Sequence, residues 1–233
     1  MMLFKIAPNP VLIVQPTGTG KSTVPLTVSV LDAGITIIIE NTIALGIDQT
    51  SKANFISSSS NKLEIQCYHL DSINNEEDQT KISSLILQTC HLVGNTAFIL
   101  FASPETLLKA TWNSFIDQCI LQSYLKIVCI DEIHLFVEFG LGFRYEYLQL
   151  KEKLFNKLVE TNETLKIPII LMTATFNKEY LKLLESMIGI KIKLEHTFWA
   201  SSNQFKKRHI NICLLYSVHQ SAVMKSQLKH HLK

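Results

Sequence analysis

A short apolar run, Val11–Val14, leads directly into Gln15-Pro16-Thr17-Gly18-Thr19-Gly20-Lys21-Ser22-Thr23, and a helical pattern follows. A buried strand, a glycine-rich turn and a helix in that order is the context of a phosphate-binding loop. It commits this part of the chain to an α/β unit. Glycines let backbone N–H groups face an anion with no side chain in the way. The N-terminus of the following helix adds a partial positive charge. Lys21 then reaches the β- and γ-phosphates, and the Ser22 hydroxyl ligates Mg²⁺. Pro16, Thr17, Gly18, Thr19, Gly20, Lys21, Ser22 and Thr23 are therefore the candidate phosphate site. Gln15 stands where the strict pattern has glycine.

Further apolar runs rich in Val and Ile recur at 35–39, 97–101, 127–130 and 169–172, with a weaker one at 64–69. Continuous apolar runs, without alternation, suit strands buried on both faces of a parallel sheet. Helical patterns lie between them. Over 111–122, Trp112, Phe115, Ile116, Cys119 and Ile120 share one face. Others cover 145–158 and 178–188, the latter with Leu181, Leu184, Met187 and Ile188 on one side. Strands alternating with helices predict a mostly parallel sheet flanked by helices on both faces. Residues 57–61 and 74–78 read as exposed loops. Residues 200–208 are polar and basic and read as a linker, and a new apolar run starts at Ile210.

Composition narrows the partners. The chain has 233 residues, 47% of them hydrophobic, which is ample for a buried core. Its net charge of +2 gives no global attraction for nucleic acid, so any such binding comes from a local surface. The five cysteines, Cys67, Cys90, Cys119, Cys129 and Cys213, show no C-x-x-C spacing. They read as buried free thiols in a reducing compartment. No apolar stretch approaches the length of a membrane span, and the N-terminus lacks a secretory pattern. Nucleus or cytoplasm, with no membrane partner, is the expectation.

Two further motifs end apolar runs. Ile127-Val128-Cys129-Ile130-Asp131-Glu132-Ile133-His134 places two carboxylates at a strand's C-terminal end, the edge where open parallel sheets bind ligands. Asp131 is assigned to Mg²⁺ and Glu132 to the base that activates water. Leu171-Met172-Thr173-Ala174-Thr175 puts two hydroxyls beside that edge, where Thr173 and Thr175 can bond the 131–134 segment.

In this order the motifs resemble those of the superfamily 2 helicases, and more narrowly the first motor lobe of RecQ-type DNA helicases. Residues 15–23 match motif I, Asp131-Glu132-Ile133-His134 motif II and Thr173-Ala174-Thr175 motif III. Residues 39–49 resemble motif Ia, with Thr42-Ile43 in place of the usual Pro-Leu. Ser103-Pro104-Glu105 matches motif Ib. Residues 134–148 resemble the aromatic-rich loop that couples single-stranded DNA to hydrolysis, with Phe139 at the usual tryptophan position and Arg144 at the matching arginine. Two glycines, Gly140 and Gly142, mark residues 139–143 within it as an exposed loop.

The resemblance implies a RecA-like P-loop NTPase fold over 1–199 and the start of a second lobe over 200–233. It implies ATP and Mg²⁺ as cofactors, Lys21 and Glu132 as catalytic residues, and Ser22 and Asp131 as metal ligands. His134, Thr173 and Thr175 would couple the sites, and Ser103, Phe136, Phe139, Phe143 and Arg144 would contact single-stranded or forked DNA. Phe136 and Phe143 read equally well as core residues. Such helicases work with two lobes, and Arg208-His209-Ile210-Asn211-Ile212 resembles the first strand of the second, so a further chain supplying that lobe is an expected partner. The implied activity is 3′–5′ unwinding. The alternative is a non-catalytic nucleotide- or nucleic-acid-binding module derived from such a lobe.

Overall fold

Strands that are apolar at every position need cover on both faces, and the computed structural model gives them that. It describes residues 10–29, 33–40, 50, 63–139, 145–162, 167–177 and 179–199. Among these, β1 (Val11–Val14), β2 (Gly34–Ile39), β3 (Glu64–His69), β4 (Thr96–Ala102), β5 (Leu125–Ile130), β6 (Ile169–Thr173) and β7 (Thr197–Trp199) form one sheet. Their order across it is β3-β4-β2-β5-β6-β1-β7. All pairings among β1 to β6 are parallel.

Side chains alternate between two cores, as the period of two requires. Phe98, Leu100 and Ala102 of β4 join Ile35, Ile37 and Ile39 of β2 on one face. Ile99 and Phe101 join Ile38, Cys129 and Met172 on the other. Each fully buried side chain of this kind contributes about 1.5–3 kcal/mol. A slip of one residue would exchange the two faces of a strand, so these rows fix the register.

The first core is covered by the helices Glu76–Leu92, Ala110–Leu121 and Tyr180–Ile188 and by a helical run over 145–162. The second is met by the helix Thr23–Ser29 through Leu26 and Val28. In Ala110–Leu121 the buried residues are the five expected on one face, and Trp112 meets Phe115 edge to face at 5.9 Å. The 145–162 run passes through a π-helical turn, Lys151–Phe155, between two α-helical stretches. Tyr180–Ile188 ends at Gly189, whose φ of 73° is the left-handed cap that glycine adopts freely.

Two expectations are corrected. Residues 76–78 are not loop but the first turn of Glu76–Leu92. Asn75 caps that helix by accepting the Asp78 N–H at 2.6 Å, and Glu76, Glu77 and Asp78 sit where the helix dipole favours negative charge. The stretch after motif II is also not all loop, since His134–Phe139 is helical.

The chain divides into two compact units, Met1–Phe198 and Trp199–Lys233. No helix among the described residues is long and apolar enough to cross a membrane.

Candidate active site

Because β1, β5 and β6 are parallel neighbours, the turns that follow them leave the sheet from the same edge. Backbone hydrogen bonds lock these turns together. Gln15 N–H donates to the Thr173 carbonyl at 3.0 Å, Ile133 N–H to that of Met172 at 2.9 Å, and Asp131 N–H to that of Ile39 at 2.9 Å. Motif I is thereby tied to motif III, and motif II to both β6 and β2.

The phosphate loop needs its glycines. Gly18 has φ 73° and Gly20 φ 88°, in the region that side-chain-bearing residues rarely occupy. The Thr19 hydroxyl donates to the Pro16 carbonyl at 2.7 Å and braces the turn. Thr23 N–H to Gly20 and Val24 N–H to Lys21, both 3.0 Å, lead the chain into its helix. Lys21 is only 7% exposed, and its charge reaches both Asp131 and Glu132.

The two carboxylates sit in different surroundings. Asp131 is 4% exposed. Burial pushes its pKa above the ordinary carboxylate value, and the charge of Glu132 pushes the same way, against the Glu132 N–H and the positive charge of Lys21. Burial also acts upward on Glu132 but is outweighed there. His134, the Ala174 N–H and Lys21 all favour its charged form and hold its pKa below the ordinary value. Glu132 is thus kept ionised, as a proton acceptor must be. Its backbone is left-handed, with φ 49°, which is uncommon for a residue with a Cβ and recurs at functional turns. In that turn its N–H donates to Asp131 Oδ1 at 2.9 Å.

Motif III closes on the Glu132 carboxylate. Ala174 N–H donates to Glu132 Oε2 at 3.3 Å. His134 Nδ1 lies 2.8 Å from Thr173 Oγ1 and 3.2 Å from Glu132 Oε2. The Thr173 hydroxyl donates to the Thr175 carbonyl at 2.8 Å. Thr175 takes part in this network through its backbone.

Of the expected site residues, Lys21, Asp131, Glu132, His134, Thr173 and Thr175 converge, with residues 16–23 forming the loop beside them. The proposed nucleic-acid contacts are placed differently. Phe136 is buried at 1% exposure, with its ring 4.3 Å from that of Tyr147 and 5.9 Å from that of Phe155. It is a core residue with no free face for a base, which corrects the stacking expectation. Ser103 is also buried, and its hydroxyl both donates to Asp71 and accepts the Thr106 N–H. It shapes a turn rather than offering a free hydroxyl. The side chain of Phe139, together with Phe143, Arg144 and residues 41–49 of motif Ia, lies outside the described residues. Asp71 was not among the expected site residues. No sequence motif marks it, and its importance depends on β3 lying beside β4.

The residues present fit a magnesium nucleotide. Asp131 and Ser22 offer the hard oxygen donors that Mg²⁺ takes, Gly18 and Gly20 turn the loop through positive φ values that side-chain-bearing residues rarely adopt, and Lys21 supplies positive charge. Fold and site together define a RecA-like P-loop nucleotide-binding domain.

The chain belongs to the DEAD/DEAH box helicase family, which matches residues 3–183. It is 25% identical over 187 residues to the ATP-dependent DNA helicase Q1 of Caenorhabditis briggsae, covering 78% of this chain and 27% of that protein. It is 31% identical over 139 residues to the RecQ helicase of Haemophilus influenzae, covering 60% and 20%. This chain therefore spans less than a third of the length of these relatives. Among solved structures, the helicase MrfA bound to DNA and AMPPNP has a TM-score of 0.54 at 20% identity, covering 82% of this chain and 25% of that one. The helicase domain of Pyrococcus furiosus Hef has a TM-score of 0.50 at 17% identity, covering 85% and 37%. These two share the fold.

Proposed function

We propose that this chain is the ATP-binding lobe of a RecQ-type, 3′–5′ DNA helicase, with the lobe over residues 1–199 and a second unit beginning at 200. The observation that carries this reading is the convergence of Lys21, Asp131, Glu132, His134 and Thr173 beyond three adjacent parallel strands. The phosphate loop orients a triphosphate, and Lys21 attracts its terminal phosphates. Asp131 and the Ser22 hydroxyl would hold Mg²⁺, which when bound would offset charge on the phosphate oxygens. Glu132 accepts a proton from the attacking water, and His134 with the Ala174 N–H aims its carboxylate. Single-stranded DNA lies along the same sheet edge, and hydrolysis is coupled to its movement through motifs II and III. A second RecA-like lobe facing this edge completes the cycle. Nucleus or cytoplasm is the compartment in which such a protein acts.

The test is steady-state ATP hydrolysis by the purified chain with and without single-stranded DNA, alongside Glu132→Gln. DNA-stimulated turnover, abolished in Glu132→Gln with Mg·ATP binding retained, is the outcome expected of a working motor; Mg·ATP binding without turnover in the folded chain is the outcome expected of the lobe by itself. Turnover that survives in Glu132→Gln would place the base elsewhere.

A further inference from the structure

Ile37, Ile38 and Ile39 carry β2 to its end, and the next residue is a glutamate. Glu40 is 2% exposed, and the hydrolysis scheme gives it no part.

Both neighbouring strands fix its place. Glu40 N–H donates to the Ala102 carbonyl of β4 at 2.9 Å, and Asp131 N–H donates to the Ile39 carbonyl at 2.9 Å. Ile38 pairs with Cys129 and Ile39 with Ile130, so the register continued by one residue sets Glu40 beside Asp131. Ile38 and Cys129 face the second core, and the period of two returns Glu40 and Asp131 to that side. Electrostatics agree. Burial raises the Cys129 pKa, and the charges of Asp131 and Glu40 raise it further. The helix that follows the phosphate loop, Thr23–Ser29, covers the same face through Leu26 and Val28. Two carboxylates thus stand side by side on the face that carries the phosphate-loop helix.

Glu132, the other carboxylate of motif II, is committed elsewhere. Its Oε2 accepts the Ala174 N–H at 3.3 Å and lies 3.2 Å from His134 Nδ1, toward motif III. On the phosphate-loop face the carboxylate beside Asp131 is that of Glu40. Burying a carboxylate is costly, and a like charge next to it adds to the cost. A strand end that served packing alone would be better filled by a fourth isoleucine. A divalent cation turns the same adjacency into attraction. Mg²⁺ is held by one or two carboxylates together with substrate phosphates, and it keeps several waters.

We infer that Glu40 is a metal-site residue: with Asp131 it holds the Mg²⁺ of the bound nucleotide, directly or through one of the ion's waters. The inference rests on the reading above that the domain binds a magnesium nucleotide.

The test uses the whole chain and its Glu40→Gln and Glu40→Ser variants, with folding checked by circular dichroism. Affinity for a fluorescent ATP analogue is measured on each in excess Mg²⁺ and in EDTA, and the ratio of the two gives the contribution of the ion. Glu40→Gln is expected to lower that ratio by about tenfold or more, with affinity in EDTA held within about twofold or improved. A ratio equal to that of the wild type, or an equal loss of affinity in Mg²⁺ and in EDTA, would make Glu40 a structural residue and overturn the inference while leaving the nucleotide reading standing. A wild-type chain whose affinity is the same in both solutions would end the magnesium-nucleotide reading and this inference with it. Should Glu40→Gln fail to fold, the same ratio in Glu40→Ser decides.

Discussion

Thr173 has one hydroxyl proton, and where that proton goes decides what His134 can do. The Thr175 carbonyl at 2.8 Å takes it, while Glu132 Oε2 is 3.5 Å away. The oxygen of Thr173 is then an acceptor toward His134, so Nδ1 must carry a proton and direct it at Thr173 and Glu132. This leaves Nε2 as the ring nitrogen that faces any other partner. Nitrogen-15 spectra of the histidine-labelled chain are expected to show His134 protonated at Nδ1, and Thr173→Val is expected to shift the tautomer balance. A wild-type ring protonated only at Nε2 would reverse the assignment. The orientation of Glu132 thus depends on a threonine with no reactive chemistry of its own.

At the scale of elements, the cap of Glu76–Leu92 is the clearest lever. Asn75→Ala removes the acceptor for the Asp78 N–H and is expected to cost about 1 kcal/mol in urea unfolding, with no change in nucleotide affinity. An unchanged unfolding midpoint would mean that the capping bond contributes nothing net. That helix was also hard to read in the sequence, for a physical reason. Its buried residues are Gln79, Ser83 and Ile86, two of them polar, and Ile82, Leu87 and Cys90 beside them are only partly buried, so the apolar face is interrupted. The strands were legible because a parallel sheet buried on both sides writes unbroken apolar runs, and Glu64–His69 and Val11–Val14 have the bounds expected for them. In the site, Lys21, Asp131 and Glu132 were legible because phosphate chemistry restricts residue type and spacing. Asp71 was not. Its partners are 32 and 35 residues away along the chain and become neighbours only through strand order. Phe136 could be read as core or as a stacking surface until Tyr147 and Phe155 were seen to cover it.

Across the whole molecule, thiols tie stability to alkaline pH: Cys119 and Cys129 are buried as expected, Cys67 and Cys90 are only half-buried, and Cys213 lies outside the described residues. Burial raises Cys67 to about 12 and Cys90 to about 11 from an ordinary 9.0, and raises Cys119 and Cys129 as well. Folding therefore favours the neutral thiols. Their contribution is present in full below the unfolded value near 9 and is lost as pH rises through the folded values. Alkylation by iodoacetamide at pH 8 is expected to be slow at these four positions in the folded chain and fast in urea, read peptide by peptide by mass spectrometry. Rapid labelling of Cys129 in folded protein would contradict its burial. The pairing of β1 with β6 carries a different consequence. Val14 and Thr173 are register partners, so β1 waits for β6, more than 150 residues later in the chain, before that edge is satisfied. Until then the phosphate loop emerges without the wall against which Gln15 is anchored. Nucleotide can stabilise this domain only after β6 has been made, and until then the nascent chain must hold an apolar strand without that partner.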